Sequence, residues 1–258
     1  MRRGLALVAA VAVLSGCTGS ADGGGGASAE DRTLTVSAAA SLTDAFSRIG
    51  KRFEGQHDGV TVAFNFGPSD GLAGQIDEGA PVDVFASASS KWMDAVETDG
   101  PGVTGRTDFA RNRLAVIVPR DNPARIEGID DLAEDGVMLV LAAEGVPVGD
   151  YAREALTNAG IADAALANVV SNEEDVKGVV TKVLSGDADA GIVYVTDVTA
   201  NVADQVKLIG IPHDVNVIAT YPIAVVSGTK EAGLAQDFID LVLGDGERTL
   251  ARYGFLPA

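Results

Sequence analysis

The sequence predicts an α/β protein of two lobes, each a mainly parallel sheet flanked by helices, behind a short export leader. Three observations predict it. Short apolar strands alternate with amphipathic helical stretches in βαβαβ order, the pattern of a parallel sheet with crossover helices. The alternation runs through two successive series, with no internal repeat or second linker visible. The chain has 258 residues, 47% of them hydrophobic, enough for one large or two modest cores. Its apolar runs are too few for a polytopic membrane protein.

At the N-terminus, Arg2 and Arg3 precede an apolar run from Leu5 to Leu14 that is shorter than a bilayer span, followed by Ser15, Gly16 and Cys17. This is the pattern of a cleaved export signal over residues 1–16. Cys17 is the only cysteine, so it has no partner for an internal disulfide or a cysteine metal site. The segment resembles a bacterial lipobox, which implies that Cys17 is acylated as the first residue of the mature protein. From Thr18 to Asp31 the chain is Gly, Ser, Ala and acid, with four glycines from Gly23. Such a composition buries no core, so residues 17–31 read as lipidated cysteine and flexible tether. Loss of Arg2 and Arg3 leaves 17 basic against 37 acidic residues, a net charge of −20 with histidines neutral. That charge argues against nucleic acid and anionic lipid surfaces as partners.

In the body, strands are expected at Leu34–Ser37, Val60–Phe66 and Val82–Ala86, with helices at Leu42–Phe53 and Leu72–Glu78. The second series places strands near Leu114–Val118, Val137–Ala142, Asn168–Val170 and Gly191–Val195. Helices near Tyr151–Ala159 and Val176–Leu184 lie between them. A strand at Tyr221–Val226 and a helix at Glu231–Leu243 close the chain and are expected to return to the first lobe. Lobe 1 is then residues 32–112 and 223–258, and lobe 2 residues 113–222, with hinges near Arg113 and Pro222.

Two strand exits carry a serine. At the first, Ser41 stands as N-cap with Asp44 three residues on, a capping-box spacing that starts a helix at Ser41. At the second, Gly67 and Pro68 stop a strand and Ser69 opens the next helix. Helix N-termini expose unpaired N–H donors and a partial positive charge, so such exits form anion sites without lysine or arginine. Capping alone equally explains both serines, and a half-buried core position equally explains Tyr194 at the end of an apolar strand. Trp92 and Met93 read as packing residues on a helix, and Glu173-Glu174-Asp175 as an acidic run favouring a helix start.

Several ordered motifs carry a family resemblance: Ala39-Ala40-Ser41-Leu42-Thr43, the stretch Gly79-Ala80-Pro81-Val82-Asp83-Val84-Phe85-Ala86-Ser87-Ala88, and Gly191-Ile192-Val193-Tyr194. With Arg252 to Phe255 they span nearly the whole mature chain, which resembles the molybdate-binding proteins of ABC transporters. The resemblance implies a type II periplasmic-binding-protein fold with its ligand in the cleft between lobes. It implies an oxyanion held by the hydroxyls of Ser41, Ser69 and Tyr194 and by the backbone amides of Val148 and Val176. The implied ligand is molybdate or tungstate, with no cofactor, no direct metal ligand and no catalytic residue. The implied partner is an ABC transporter permease in the cytoplasmic membrane, served by a monomer held on that membrane's outer face only by its lipid.

The sequence departs from the family pattern at Asp70, where relatives carry a small hydroxyl residue. Asp70 is expected to face solvent and favour the helix dipole; otherwise it accepts a proton from a protonated anion such as hydrogen phosphate. A site made only of donors satisfies a dianion, whereas a protonated oxyanion brings a hydrogen that finds no acceptor. Sulfate and phosphate are the alternative ligands. A serine hydrolase is the alternative of another class, since Gly67-Pro68-Ser69-Asp70-Gly71 matches a nucleophile elbow. Of the two histidines, His57 and His213, only His213 follows Ser69 in the required order.

Overall fold

The first strand, β1 (Arg32–Ala39), buries Leu34, Val36 and Ala38 completely and leads through a 3-10 turn, Ala40–Leu42, into α1 (Thr43–Glu54). The structure, a computed structural model, describes residues 31–258; the leader, Cys17 and the tether to Glu30 lie outside the described residues. Helix α1 buries Ala45, Phe46, Ile49 and Phe53, the three- and four-residue spacing of one helical face. The chain continues through β2 (Val60–Gly67), α2 (Ser69–Asp77), β3 (Val84–Ala86) and α3 (Ser90–Thr98). β1 pairs in parallel with β2 from Arg32 opposite Val60 to Ala39 opposite Gly67, and with β3 as far as Ala38 opposite Ala86. That register sets three carboxyl-terminal strand ends side by side.

The long strand β4 (Val103–Pro119) then carries the chain into the other half of the sheet. There follow β5 (Leu139–Ala142), α4 (Pro147–Asn158), α5 (Ala162–Ala167), β6 (Val169–Glu173), α6 (Val176–Ser185), β7 (Ala190–Tyr194) and β8 (Val206–Gly210). β5 pairs in parallel with β6 and β7, the second parallel core. The return strand β9 (Ile218–Val226) is followed by α7 (Ala232–Leu243) and α8 (Glu247–Arg252). Phe238 of α7 meets Phe46 and Phe53 of α1 edge-on, at ring-centroid distances of 5.9 and 5.5 Å, so the C-terminal helices pack on the first-half core.

The strand order is β2-β1-β3-β9-β4-β7-β5-β6, with β8 also on β4. β4 runs antiparallel to β9 from Val103 to Arg113, and from Leu114 onward antiparallel to β7 and β8. The strand thus changes partner between Arg113 and Leu114. Only its apolar second part was expected from sequence. The first part alternates exposed Arg111 and Arg113 with buried Ala110, Asn112 and Leu114, so one face is polar and masks the strand. The short elements β8, α5 and α8 were also not foreseen. Among the described residues, no helix is long and apolar enough to cross a membrane.

Candidate functional site

Six strand ends or the turns beyond them converge at the middle of the sheet, where loops at the carboxyl ends of parallel strands form a crevice. They enclose a cavity of about 20 Å³ whose wall includes Ser41, Ser69, Ala88, Val148, Asp175, Val176 and Tyr194. The volume exceeds the roughly 10–15 Å³ that one water needs, and is far below what an organic ligand occupies. All five residues expected to meet an oxyanion therefore lie on one wall system, although 153 positions separate the first from the last.

The local chemistry of the serines is not capping. Ser41 sits inside the 3-10 turn, with Ala39 in the cap position and α1 beginning only at Thr43, which corrects the expected helix start. Its Oγ lies 2.9 Å from the Tyr221 hydroxyl. Ser69 is the first residue of α2, Pro68 holds the cap position, and no side-chain cap bond is made. Instead the Ala88 N–H donates to Ser69 Oγ at 3.0 Å. Both serines line the cavity, and neither hydroxyl caps its own helix.

The second half supplies backbone. Val148 is the second residue of α4, after Pro147, whose missing N–H costs nothing in the first turn. Val176 is the first residue of α6. First-turn N–H groups have no acceptor within their helix, and among the described residues neither of these two donates to another backbone or side-chain group. A side chain at Gly149 would place Cβ 2.2 Å from the Ala143 carbonyl oxygen, so glycine lets α4 start this close to the strand exit.

Tyr194 is 2% exposed, and its hydroxyl has no hydrogen-bond partner. A buried, orphaned O–H on a cavity wall is a donor awaiting a ligand. Burial pushes its pKa well above the ordinary tyrosine value, so the group stays protonated. Among the described residues, no lysine or arginine lines the cavity. The wall carries one carboxylate, Asp175, and its Oδ1 caps α6 by accepting the Gly178 N–H at 2.9 Å. The site therefore offers hydroxyl and amide donors around a space fit for a small anion.

Asp70 departs from expectation. The residue is half-buried, with its Oδ1 buried without a partner, and it is not on the cavity wall. His213 lines a separate cavity with Arg113 and Asn216, and His57 stacks on Phe53 at 4.0 Å. Ser69 thus has no histidine beside it in the cavity. Met93 is fully buried, whereas Trp92 is half-buried with its indole Nε1 donating to the Gly145 carbonyl. Sequence reasoning did not single out Ala88, Asn112 or Tyr221 as site residues.

Fold and site together define a receptor for a small solute. The chain belongs to the bacterial extracellular solute-binding protein family, which it matches over residues 34–256. Within that family it is 37% identical to the molybdate-binding protein ModA of Mycobacterium tuberculosis over 251 residues, 97% of this chain and 94% of the relative. It is 32% identical to the putative ABC transporter substrate-binding lipoprotein YvgL of Bacillus subtilis, over 86% of each chain. The periplasmic molybdate-binding protein of Azotobacter vinelandii shares the fold, with a TM-score of 0.76 at 22% identity over 87% of this chain and 99% of the other.

Proposed function

We propose that this protein captures molybdate, and tungstate by the same chemistry, and delivers it to an ABC transporter permease. The observation that carries the reading is the convergence of Ser41, Ser69, Val148, Val176 and Tyr194 on one small cavity, where the Tyr194 hydroxyl and the first-turn N–H groups of Val148 and Val176 have no acceptor among the described residues. Relatives named for molybdate over nearly the full chain support it. A fully deprotonated tetrahedral dianion accepts from every donor and brings no hydrogen of its own. Each charge-assisted bond contributes roughly 1.5–3 kcal/mol, so a handful supports about micromolar binding or tighter.

The donors come from both halves of the sheet, so the bound ion favours closure about the crossing strands near Arg113 and Pro222. The protein then acts as a carrier rather than an enzyme, as a monomer and without a cofactor. A lipid on Cys17 holds it at the outer face of the cytoplasmic membrane, and the lipoprotein relative is consistent with that. The test is a calorimetric titration of protein beginning at Thr18 with molybdate, tungstate, sulfate and phosphate. Tight binding of the first two is expected; preference for sulfate or phosphate, or no binding, overturns the reading.

A further inference from the structure

Beyond the cavity wall, a buried chain of polar groups runs along the crossing strands. Asn112 on β4 and Tyr221 on β9 are fully buried, and Thr196 in the turn after Tyr194 nearly so. Asn112 Nδ2 donates to Thr196 Oγ1 at 2.8 Å and to the Tyr221 hydroxyl at 3.3 Å. The amide cannot be turned the other way, because its Oδ1 accepts the Arg113 backbone N–H at 3.0 Å and a main-chain N–H can only donate.

That orientation propagates. Tyr221 receives a hydrogen from Asn112, and of its two other hydroxyl neighbours only Ser41 Oγ, at 2.9 Å, lies within hydrogen-bond geometry, so the Tyr221 hydrogen is assigned to Ser41. Ser41 then accepts from behind and keeps its hydrogen for the cavity. The second serine reaches the same state by another route, since the Ala88 N–H behind Ser69 can only donate to it. The Tyr194 hydroxyl lies near Tyr221 but makes no bond of normal hydrogen-bond geometry among the described residues, so its hydrogen can turn to the cavity.

We infer that Tyr221, oriented by Asn112, is a positioning residue that sets the polarity of Ser41, making it a donor toward the anion and so favouring fully deprotonated oxyanions. The inference rests on the proposed oxyanion function. With the polarity reversed, Ser41 donates backward to Tyr221 and turns lone pairs to the cavity. It then repels a dianion oxygen and accepts the hydrogen of hydrogen phosphate. Tyr221 and Asn112 are therefore specificity determinants that need not touch the ligand. The same Asn112 amide also donates to Thr196, in the turn that follows Tyr194.

The experiment is a double-mutant cycle on protein beginning at Thr18, with molybdate and phosphate affinities measured by calorimetry. Tyr221→Phe removes one hydroxyl at nearly constant volume and is expected to weaken molybdate about tenfold while lowering the molybdate-to-phosphate ratio. In a Ser41→Ala background the same change is expected to add less than about twofold, because its target is gone. Equal effects in both backgrounds, or an unchanged ratio, overturn the inference. Should Tyr221→Phe melt below the assay temperature, Asn112→Asp serves instead, since an acceptor there draws the Tyr221 hydrogen away from Ser41. It is expected to weaken molybdate at least as much as Ser41→Ala, and wild-type affinity in that variant overturns the inference. Absence of oxyanion binding by the unaltered protein overturns the proposed function itself.

Discussion

Trp92 Nε1 donates to the carbonyl oxygen of Gly145 at 2.7 Å, tying α3 of the first half to the loop entering α4 of the second. Lys91 reinforces the tie, reaching Asp150 Oδ2 at 3.2 Å, while Asp150 Oδ1 accepts the Gly145 N–H at 2.7 Å. The exposed ion pair contributes little by itself; the half-buried indole bond is the stronger element. If the halves close on the ligand as proposed, Trp92→Phe is expected to speed molybdate dissociation about fivefold and leave association unchanged, because the bond joins one half to the other. Stopped-flow kinetics read both rates, and an unchanged dissociation rate removes the tie from the closing mechanism.

Tyr194 gives a prediction with opposite signs for two readouts. Its buried hydroxyl has no partner without ligand, so Tyr194→Phe removes an unsatisfied group and is expected to hold or raise the ligand-free melting temperature. In the proposed site the same change would delete a donor to the anion, and it is expected to weaken molybdate by about tenfold or more. A drop in melting temperature with unchanged affinity would show that the hydroxyl serves the core.

Asp197 predicts a pH dependence. Its Oδ2 accepts the Tyr194 backbone N–H at 3.1 Å. Burial raises the carboxyl from 3.8 to about 7, opposed by that bond and by Lys177 and reinforced by Asp175 and Asp44. The folded state therefore holds a proton that the unfolded chain releases. The stability this group contributes is full below the unfolded value and declines as pH rises to about 7, at roughly 1.4 kcal/mol per unit at most. Asp197→Asn keeps an acceptor for Tyr194 and is expected to flatten that decline. Melting curves between pH 4 and 8 provide the check, and parallel profiles for the two proteins would count against a raised carboxyl.

The strand and helix order was legible in sequence because the 2- and 3.6-residue periods are local. The wall residues were legible through motif resemblance rather than periodicity, since Val148 and Val176 are expected to contribute only backbone and their side chains carry no signal. The start of α1 was misread because Ser41 followed by Asp44 satisfies a capping spacing, while the chain tightens into a 3-10 turn and points the hydroxyl at Tyr221. Asn112 was invisible because it stands between Arg111 and Arg113 and looks like a polar surface run. Only its inward place in the alternation of β4 distinguishes it. Tyr221 lies 180 residues from Ser41, and no local pattern encodes a contact across two crossing strands.

The dispersal of the donors along the chain makes anion capture a readout of completed folding. Ser41, Ser69, Val148, Val176 and Tyr194 come together only when both parallel cores and both crossing strands have formed. The cavity draws residues from both halves of the sheet, so neither parallel core alone contains it. Binding and folding are then one thermodynamic equilibrium, in which ligand at a hundred times its dissociation constant adds about 2.7 kcal/mol to the free energy of unfolding. A loaded receptor is also a more protease-resistant one, so the ion it carries lengthens its own carrier's lifetime.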